Sequence, residues 1–384
     1  MVRPVVLLLL LAVAALTVAS CGGEGREDRL VALGEQRPSF DRSGWRTDFS
    51  RRTAPLEEIQ TGGPPRDGIP PIDDPRPVEQ AAAETFLSER DPVLVVEAGG
   101  AARAYPLRIL VWHEIVNDRL SGRPITVTYC PLCNSSLVFD RRVGGRELSF
   151  GTTGNLRRSN LVMWDRQTES WWQQLTADAI VGELAGQRLR PLPAQTLSWA
   201  QFKRRHPRGD VLSRDTGAER DYTRNPYLGY DEQASSPHLF RGRVDGRLAP
   251  KERVVALLDA APPVVVPFSR LRREPVVELG ADGTPAAVFY QRGVASPIDA
   301  DAVSRSKDVG TAGAFDRRLR GRTLSFARRG GVFVDRETRS SWDVTGRAVA
   351  GPLRGARLRP LRHDEQFWFS LAAFVPEARI AQRP

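Results

Sequence analysis

Lysine is nearly absent from this sequence of 384 residues: it occurs only at Lys203, Lys251 and Lys307, so arginine supplies almost all of the 56 basic residues. The net charge is +10, yet no cluster of basic residues is interleaved with aromatic residues, which argues against a nucleic-acid groove. We interpret the arginine excess mainly as a habit of high-GC coding sequence. The alternative is a basic surface that is attracted to anionic membrane headgroups.

Long hydrophobic runs are also lacking, with one exception near the N-terminus. The apolar run from Val5 to Ala19 follows Arg3 and is too short to span a bilayer comfortably, but it is typical of a secretory signal. It ends in Val18-Ala19-Ser20-Cys21, which resembles the lipobox of bacterial lipoproteins. We therefore predict an exported protein, acylated at Cys21 and anchored to the cell membrane or the outer membrane, facing the periplasm or the exterior. The alternative is an ordinary signal peptide with an incidental cysteine.

Cysteine is equally scarce, because only Cys130 and Cys133 follow Cys21. The segment Tyr129-Cys130-Pro131-Leu132-Cys133-Asn134 lies between two predicted strands, which is not the strand-to-helix setting of thioredoxin-like motifs. It is similar to the tight turns of rubredoxin and zinc-ribbon proteins, in which a residue that tolerates positive φ follows the second cysteine, here Asn134. Such a turn directs both sulfurs and several backbone N–H groups toward one point.

Three interpretations of this cysteine pair stay open. The first is a transition-metal site in which Cys130, Cys133 and His113 bind zinc, copper or iron and leave a fourth position open. The second is the redox-active dithiol of a thiol-disulfide oxidoreductase. The third is an inert disulfide in a non-catalytic envelope scaffold, because exported proteins normally meet an oxidising compartment. The neighbours predicted to support the site by hydrogen bonds are Glu114, Tyr129, Asn134 and Asn155.

Two of these assignments have plainer alternatives. His113 follows an amphipathic segment and is equally well explained as a half-buried histidine whose ring nitrogens are satisfied by the protein. Asn155 belongs to the loop Gly151-Thr152-Thr153-Gly154-Asn155, whose N–H groups can face an anion. The loop fits no phosphate-loop pattern, so we favour a structural turn. Nothing in the sequence identifies a protein partner.

The sequence predicts a mainly β (α+β) chain made of two tandem related β-rich repeats, each closed by a short helix, behind a lipoprotein signal and tether. Short β-branched runs separated by turn residues such as Val143-Gly144-Gly145 predict strands and hairpins. A helix is predicted from Ser198 to about Arg205. The predicted segments are a signal peptide (1–20), a flexible tether (21–44), an extended arm (45–91), a first repeat (92–215), a connecting loop (216–252) and a second repeat (253–382).

The repeat interpretation depends on matching runs in the two halves. The run from Phe139 to Phe150 is matched by that from Phe315 to Phe326, with nine of twelve positions identical. The second half nevertheless has Tyr290-Gln291-Arg292-Gly293 where the first has its cysteines, and Arg272-Arg273-Glu274 where the first has Trp112-His113-Glu114. Residues needed for packing persist in both copies of a duplicated fold, whereas residues needed for chemistry persist in one. We therefore predict one working site, in the first repeat.

Several motifs together resemble the bacterial and archaeal family known as domain of unknown function 3179. The matching stretches are Gly62–Pro70, Ala104–Leu107, Trp112–Asp118, Thr128–Asn134, Asn160–Arg166 and Asn225–Tyr227. The resemblance covers most of the chain that follows the signal peptide. It implies no activity, substrate or cofactor, but it implies that His113, Cys130 and Cys133 belong to the family pattern.

Overall fold

The structure is a computed structural model that describes residues 39–381. The predicted signal peptide, Cys21 and most of the predicted tether lie outside the described residues. Within them the chain is mainly β and forms several sheets, which confirms the mainly β expectation. No helix in this part of the chain combines the length and apolar character that crossing a membrane requires.

The strands of the N-terminal half surround three short helices. The strands are β1 (Ile59–Thr61), β2 (Pro77–Val78), β3 (Pro92–Ala98), β4 (Ala101–Pro106), β5 (Ile115–Leu120), β6 (Arg123–Cys130), β7 (Ser135–Asp140), β8 (Arg142–Val143), β9 (Arg146–Glu147), β10 (Phe150–Arg157), β11 (Asn160–Asp165), β12 (Trp171–Gln173), β13 (Ala179–Val181), β14 (Arg190–Leu192), β15 (Ala194–Ser198) and β16 (Asp210–Leu212). The helices are α1 (Gln80–Ala83), α2 (Leu107–His113) and α3 (Trp199–Arg205), and a 3-10 turn covers Leu56–Glu58.

The C-terminal half has the same types of element. Its strands are β17 (Arg253–Leu257), β18 (Val264–Pro267), β19 (Val276–Ala281), β20 (Thr284–Gln291), β21 (Thr311–Asp316), β22 (Arg318–Leu319), β23 (Arg322–Thr323), β24 (Phe326–Arg329), β25 (Val332–Asp335), β26 (Ser341–Trp342), β27 (Ala348–Ala350), β28 (Arg359–Pro360), β29 (His363–Phe367) and β30 (Arg379–Ile380). Its helices are α4 (Phe268–Leu271) and α5 (Trp368–Phe374), with a 3-10 turn at Val303–Arg305.

Local sequence explains where these elements begin and end. Gly144 and Gly145 both have positive φ, which is the conformation that the predicted two-residue hairpin turn between β8 and β9 requires. The predicted helix near residue 200 is α3. Its N-cap Ser198 accepts a hydrogen bond from the Gln201 backbone N–H, and the Gln201 side chain accepts one from the Ser198 N–H. This capping box satisfies two N–H groups that the first helical turn leaves free.

The three larger sheets of one half correspond in strand order to those of the other, and each half also has a two-stranded sheet, β8-β9 or β22-β23. In the N-terminal half the orders are β15-β3-β4-β16-β2, β14-β7-β6-β5 and β1-β10-β11-β12-β13. In the C-terminal half they are β29-β17-β18-β30, β19-β20-β21-β28 and β24-β25-β26-β27. Strand β1 comes from the predicted arm and adds an edge to its sheet by pairing Ile59 with Arg157.

The two halves share a hydrophobic core. One cluster of buried residues contains Val93, Val95 and Leu197 from the first half together with Phe315 and Trp342 from the second. Residues 39–381 accordingly belong to one compact unit. A side chain of either half can therefore contribute to a site in the other.

We expect the Asp140→Asn variant to lose stability in a pH-dependent way. Asp140 is buried at the end of β7 and forms ion pairs with Arg142, Arg123 and Arg190, at 2.7, 3.1 and 2.9 Å. Hydrogen bonds, the strongest from Arg142, lower the pKa of Asp140 from 3.8 to about 2. Because the folded-state pKa lies below the unfolded one, this stabilisation is complete above the unfolded pKa and disappears as pH falls toward the folded pKa.

The measurement is denaturant unfolding of the wild type and the variant in steps from pH 7 down to pH 3. We expect the free energy of unfolding to differ by about 2 kcal/mol at pH 7 and the difference to shrink below about pH 4. Asp259→Asn is the control, because Asp259 forms its ion pair with Arg362 at the protein surface. Loss of this ion pair should lower the free energy of unfolding by less than about 0.5 kcal/mol. A difference at Asp140 that does not change with pH would contradict the expectation.

Candidate functional site

The two cysteines lie on a tight turn between β6 and β7. Cys130 is the last residue of β6, and the Cys133 N–H donates to its carbonyl oxygen at 3.2 Å. The Asn134 N–H donates to the Pro131 carbonyl at 3.2 Å, and Asn134 has the positive φ (51°) that its sequence position predicts. Asparagine tolerates this left-handed conformation better than most residues. The turn therefore places both thiols on the same side of the β6–β7 hairpin.

The tip of a second hairpin covers the two sulfurs. Strands β10 and β11 are joined by Arg158 and Ser159, which both have positive φ, as a two-residue hairpin turn requires. The Ser159 carbonyl oxygen is 3.2 Å from Cys133 Sγ and 3.9 Å from Cys130 Sγ, so one acceptor serves both thiols. Asn160 Nδ2 donates to Cys133 Sγ at 3.3 Å, and the Leu161 backbone N–H forms a hydrogen bond with Cys130.

The thiols are free and are shielded from solvent. Neither is bonded to the other, and their exposed fractions are 2% for Cys130 and 0% for Cys133. Burial, followed by the hydrogen bond and charge of Cys133 and by the nearby Glu114, raises the pKa of the Cys130 thiol well above its usual range. The Cys130 thiol is therefore held in its neutral form until something that binds thiolates replaces its proton.

A buried polar network connects the cysteines to the neighbouring sheet. Asn160 Nδ2 also donates to Gln174 Oε1 at 3.0 Å, and Asn160 Oδ1 accepts from Gln173 Nε2 at 2.5 Å. Gln174 in turn bonds to Ser135 Oγ and Thr128 Oγ1, at 2.9 and 3.1 Å. All five side chains are buried. Because unpaired polar groups in a protein interior are costly, this network holds Asn160 in one orientation against Cys133.

Glu114 and Tyr129 lie on the other side of the turn. Glu114 is the C-cap of α2 with a φ of 57°, and its carbonyl accepts from the Tyr129 N–H at 2.8 Å. Burial raises the pKa of the Glu114 carboxyl to about 8, against the lowering effect of a hydrogen bond from Tyr227. The Tyr129 hydroxyl donates to Asn134 Oδ1 at 3.2 Å. Glu114 is thus a largely protonated acid at neutral pH, close enough to influence Cys130.

The predicted connecting loop packs over the cysteine turn. The Tyr230 hydroxyl donates to the Leu132 carbonyl at 3.0 Å and accepts from the His238 N–H at 3.4 Å. Ser159 Oγ donates to the His238 carbonyl at 2.7 Å, which joins the loop to the second hairpin. The C-terminal half also contributes, because the Phe367 N–H donates to the Cys133 carbonyl at 2.9 Å. The site is therefore enclosed by segments that are distant in the sequence.

His113 does not join the cysteines in one ligand set. Its Nδ1 is 2.7 Å from the Pro70 carbonyl and its Nε2 is 2.6 Å from the Tyr222 hydroxyl, so the protein occupies both ring nitrogens. Burial lowers the pKa of His113 and keeps the ring neutral. Among residues 39–381, no three His, Cys, Asp or Glu side chains come close enough to hold one ion. The three-ligand arrangement expected from the sequence is therefore absent from the described residues, because Pro70 of the predicted arm and Tyr222 of the predicted connecting loop occupy the two ring nitrogens.

Asn155 also has a local role in the structure. It pairs with Thr61 across β1 and β10, and its Nδ2 donates to the Thr153 carbonyl at 3.4 Å. The groups that contact the sulfurs are instead those of Ser159, Asn160 and Leu161, which were not among the predicted site residues. The sequence did contain a signal for them. They lie between Phe150 and Asp165, and this segment is six residues longer than the corresponding segment between Phe326 and Asp335.

Comparison with known proteins gives a family without an activity. A family model described as "Protein of unknown function (DUF3179)" matches residues 66–378, which is most of the chain and includes the cysteine turn and both hairpins around it. No curated protein and no solved structure matches the chain. The chemistry of the site therefore has to be argued from its own groups.

Proposed function

The chain belongs to the DUF3179 family, which has no established activity. We propose, from the geometry of the site, that this is a cell-envelope protein that binds Cu(I) through the thiolates of Cys130 and Cys133. The observation that carries this proposal is the convergence of two free thiols on one point, with an N–H donor on each sulfur. N–H groups directed at sulfur stabilise the thiolate form, which is the form that binds metals.

The number and type of donors favour copper over zinc and iron. Structural zinc sites use four protein ligands and catalytic zinc sites use three, whereas this turn supplies two sulfurs. Protein-bound iron–sulfur clusters usually take four ligands from the chain. Cu(I) is a soft ion that prefers thiolates and accepts coordination by two of them. Binding releases one proton from each thiol, and the resulting complex has a single negative charge next to Asn160 Nδ2 and the Leu161 N–H.

Burial argues against the oxidoreductase alternative. Exchange with the disulfide of another protein requires an exposed thiolate that can attack it. Cys130 and Cys133 are almost fully covered, and burial favours the neutral form of the Cys130 thiol. A metal ion is far smaller than a protein disulfide, so it needs only a small displacement of the loop that contains Tyr230.

The cellular setting is part of the same proposal. The N-terminal sequence supports export, acylation of Cys21 and attachment to the cell membrane or the outer membrane. The strand orders of the two halves correspond, which supports a tandem repeat. In this proposal the first copy binds the metal. The second copy contributes to the enclosure of the site through the Phe367 N–H.

The test is a Cu(I) titration of the full-length protein, purified from membranes in non-ionic detergent, reduced and kept free of oxygen. A chromophoric Cu(I) chelator serves as the competitor. We expect one Cu(I) per chain in the wild type and none retained by Cys133→Ser. The control is His113→Asn, which should be less stable but should still bind one Cu(I), because His113 is not a ligand in this proposal. The intact mass of the preparation shows whether the chain begins at acylated Cys21.

Each other outcome points to a different function. Loss of Cu(I) in His113→Asn would restore the three-ligand interpretation. A wild type that binds no Cu(I) but cycles between dithiol and disulfide in a thiol redox buffer would support the oxidoreductase. A wild type that does neither would leave the non-catalytic scaffold.

A further inference from the structure

An open cavity lies at the position in the C-terminal half that corresponds to the cysteine site of the N-terminal half, and α3 of the N-terminal half forms part of its wall. The cavity has a volume of about 400 Å³ and is lined by Gln291, by the Trp342–Thr345 segment and by residues at the end of α3. Gln291 ends β20, just as Cys130 ends β6. Since β20 and β6 each occupy an inner position in a four-stranded sheet, the cavity lies at the equivalent end of the equivalent strand.

Hairpin length explains why one location is filled and the other is open. In the first half, β10 and β11 are long enough for Arg157 and Arg158 at their tip to reach the ring of Phe374 on α5. In the second half, β24 and β25 have four residues each and end at Gly330 and Gly331. The shorter hairpin does not cover its sheet, so a space remains between its tip and α3.

The lining of this cavity is strongly positive. Arg204, Arg347 and Arg354 are exposed, and none of them has a carboxylate partner in the part of the chain that the structure describes. Arg205 is mostly buried and donates from Nε to Thr345 Oγ1 at 3.1 Å. The carboxylate in the lining is Asp343, whose Oδ1 already accepts hydrogen bonds from the Thr345 backbone and hydroxyl and from the Arg347 N–H.

Neighbouring positive charges act on Arg205 as well. Burial, then Arg357, lowers the pKa of Arg205, while Glu97 at 3.9 Å opposes the effect. Arg347, which lines the same cavity, contributes to the lowering. Guanidinium groups gathered in this way, without enough carboxylates to pair them, form a favourable environment for an anion.

The rim of the cavity is apolar. Val332 and Val349 are 36% and 43% exposed, and they are two of the three large hydrophobic residues that are exposed among the described residues. The indole of Trp342 and the side chain of Val344 form the interior wall. A ligand that matches this lining needs an anionic group for the arginines and a hydrophobic part for the valines.

We propose that this cavity is a binding site for a phosphate ester that bears an apolar group. Guanidinium groups have planar, paired N–H donors that match the oxygens of a phosphate group. The volume exceeds what a bare phosphate ion needs and lies within the range of small-molecule sites. Two sources share this chemistry: a membrane lipid with a phosphate headgroup, and a soluble phosphate ester. The site is independent of the metal proposed at Cys130 and Cys133.

The test is isothermal titration calorimetry on the full-length protein in non-ionic detergent at fixed ionic strength. The probes are sn-glycerol 3-phosphate and dihexanoyl phosphatidic acid, which carry the same phosphate monoester, and dihexanoyl phosphatidylcholine is the zwitterionic control. We expect the Arg347→Glu/Arg354→Glu double variant to bind the phosphate monoester at least about tenfold more weakly than the wild type. The matched double variant Arg320→Glu/Arg322→Glu has the same change of net charge on an exposed hairpin elsewhere, and should stay within about twofold.

The probes also separate the two sources. Binding of the phosphatidic acid at least about tenfold tighter than that of glycerol phosphate supports a lipid, because the acyl chains add contacts at Val332 and Val349. Comparable affinity for both would overturn the requirement for an apolar group and leave the phosphate of a soluble ester as the recognised group. The proposal is overturned if neither phosphate monoester binds, if both double variants weaken binding equally, or if the phosphatidylcholine binds as tightly as the phosphatidic acid.

Discussion

Replacing Gly154 with alanine is expected to lower the free energy of unfolding by about 2 to 5 kcal/mol. Gly154 has a φ of 75°, and a Cβ atom built on it would lie 2.0 Å from the Pro64 carbonyl oxygen and 3.0 Å from that of Pro65. Left-handed backbone costs a non-glycine residue about 1 to 2 kcal/mol. The clash is with backbone atoms, so relieving it requires the chain to shift, which typically costs about 1 to 3 kcal/mol more.

Gly144→Ala separates these two contributions. Gly144 also has positive φ (56°), but a Cβ atom built there would meet nothing within 4 Å. We expect this variant to lose only the conformational part, about 1 kcal/mol. Urea unfolding followed by tryptophan fluorescence measures both. If the free energy of unfolding falls equally in the two variants, the close approach of the Pro64 carbonyl to Gly154 does not contribute to stability.

The reason for the large effect is the contact that Gly154 allows between its strand and the N-terminal arm. The Gly62 N–H donates to the Gly154 carbonyl at 2.7 Å, and the Asp67 N–H donates to the Thr152 carbonyl at 2.9 Å. The same arm continues to Pro70, whose carbonyl contacts His113. The Gly-Thr-Thr-Gly-Asn segment, which the sequence favoured as a structural turn, instead lies within β10, where an irregularity in the pairing with β11 falls between Thr152 and Leu156. Its role is to position the arm.

Replacing Asn160 with alanine is expected to weaken Cu(I) binding about 10- to 100-fold, the usual effect of losing a group that hydrogen-bonds to a metal ligand. Asn160 Nδ2 is the side-chain donor to Cys133 Sγ. The substitution also leaves Gln173, Gln174 and the Leu175 N–H without one partner each. Gln173 Nε2 keeps the Leu161 carbonyl and Gln174 Oε1 keeps the Ser135 hydroxyl, so the main loss is the partner of the buried Leu175 N–H. Because an unsatisfied buried group costs about 1 to 3 kcal/mol, stability should fall by that amount.

Asn155→Ala is the matched control. Asn155 is buried in the same hairpin, but its side chain bonds only to the Thr153 carbonyl, two residues away. We expect its Cu(I) affinity to remain within about threefold of the wild type, with a stability loss of about 1 kcal/mol. Equal Cu(I) affinity in Asn160→Ala and the wild type, measured by the competition titration, would remove Asn160 from the metal site while leaving the two sulfurs in it.

Features decided by a few neighbouring residues were predictable from the sequence. The turn at Cys130–Asn134 depends on a proline and on an asparagine that accepts positive φ, and α3 depends on the Ser198 cap. In each case the hydrogen bonds close within five residues. Local chemistry of this kind is visible in a single sequence.

The partners of His113 were not predictable in the same way. Its two hydrogen-bonding groups come from Pro70 and Tyr222, which are 43 and 109 positions away in the sequence. The loss of His113 and of both cysteines from the second half suggested that the three act together. Tertiary structure decided otherwise, because the Pro70 carbonyl and the Tyr222 hydroxyl occupy the two ring nitrogens.

The sequence by itself determined the mainly β architecture and the cysteine turn, because strand alternation and turn chemistry act over short distances. It also showed, by direct comparison of the two halves, that the second half lacks both thiols. Tertiary structure alone decided that the tip between β10 and β11 covers the sulfurs and that the shorter tip between β24 and β25 leaves an arginine-lined space. The physical reason is that strand length limits how far a hairpin reaches, while the surface it meets comes from another part of the chain. Contacts between segments that are distant in the sequence cannot be predicted from a local sequence pattern.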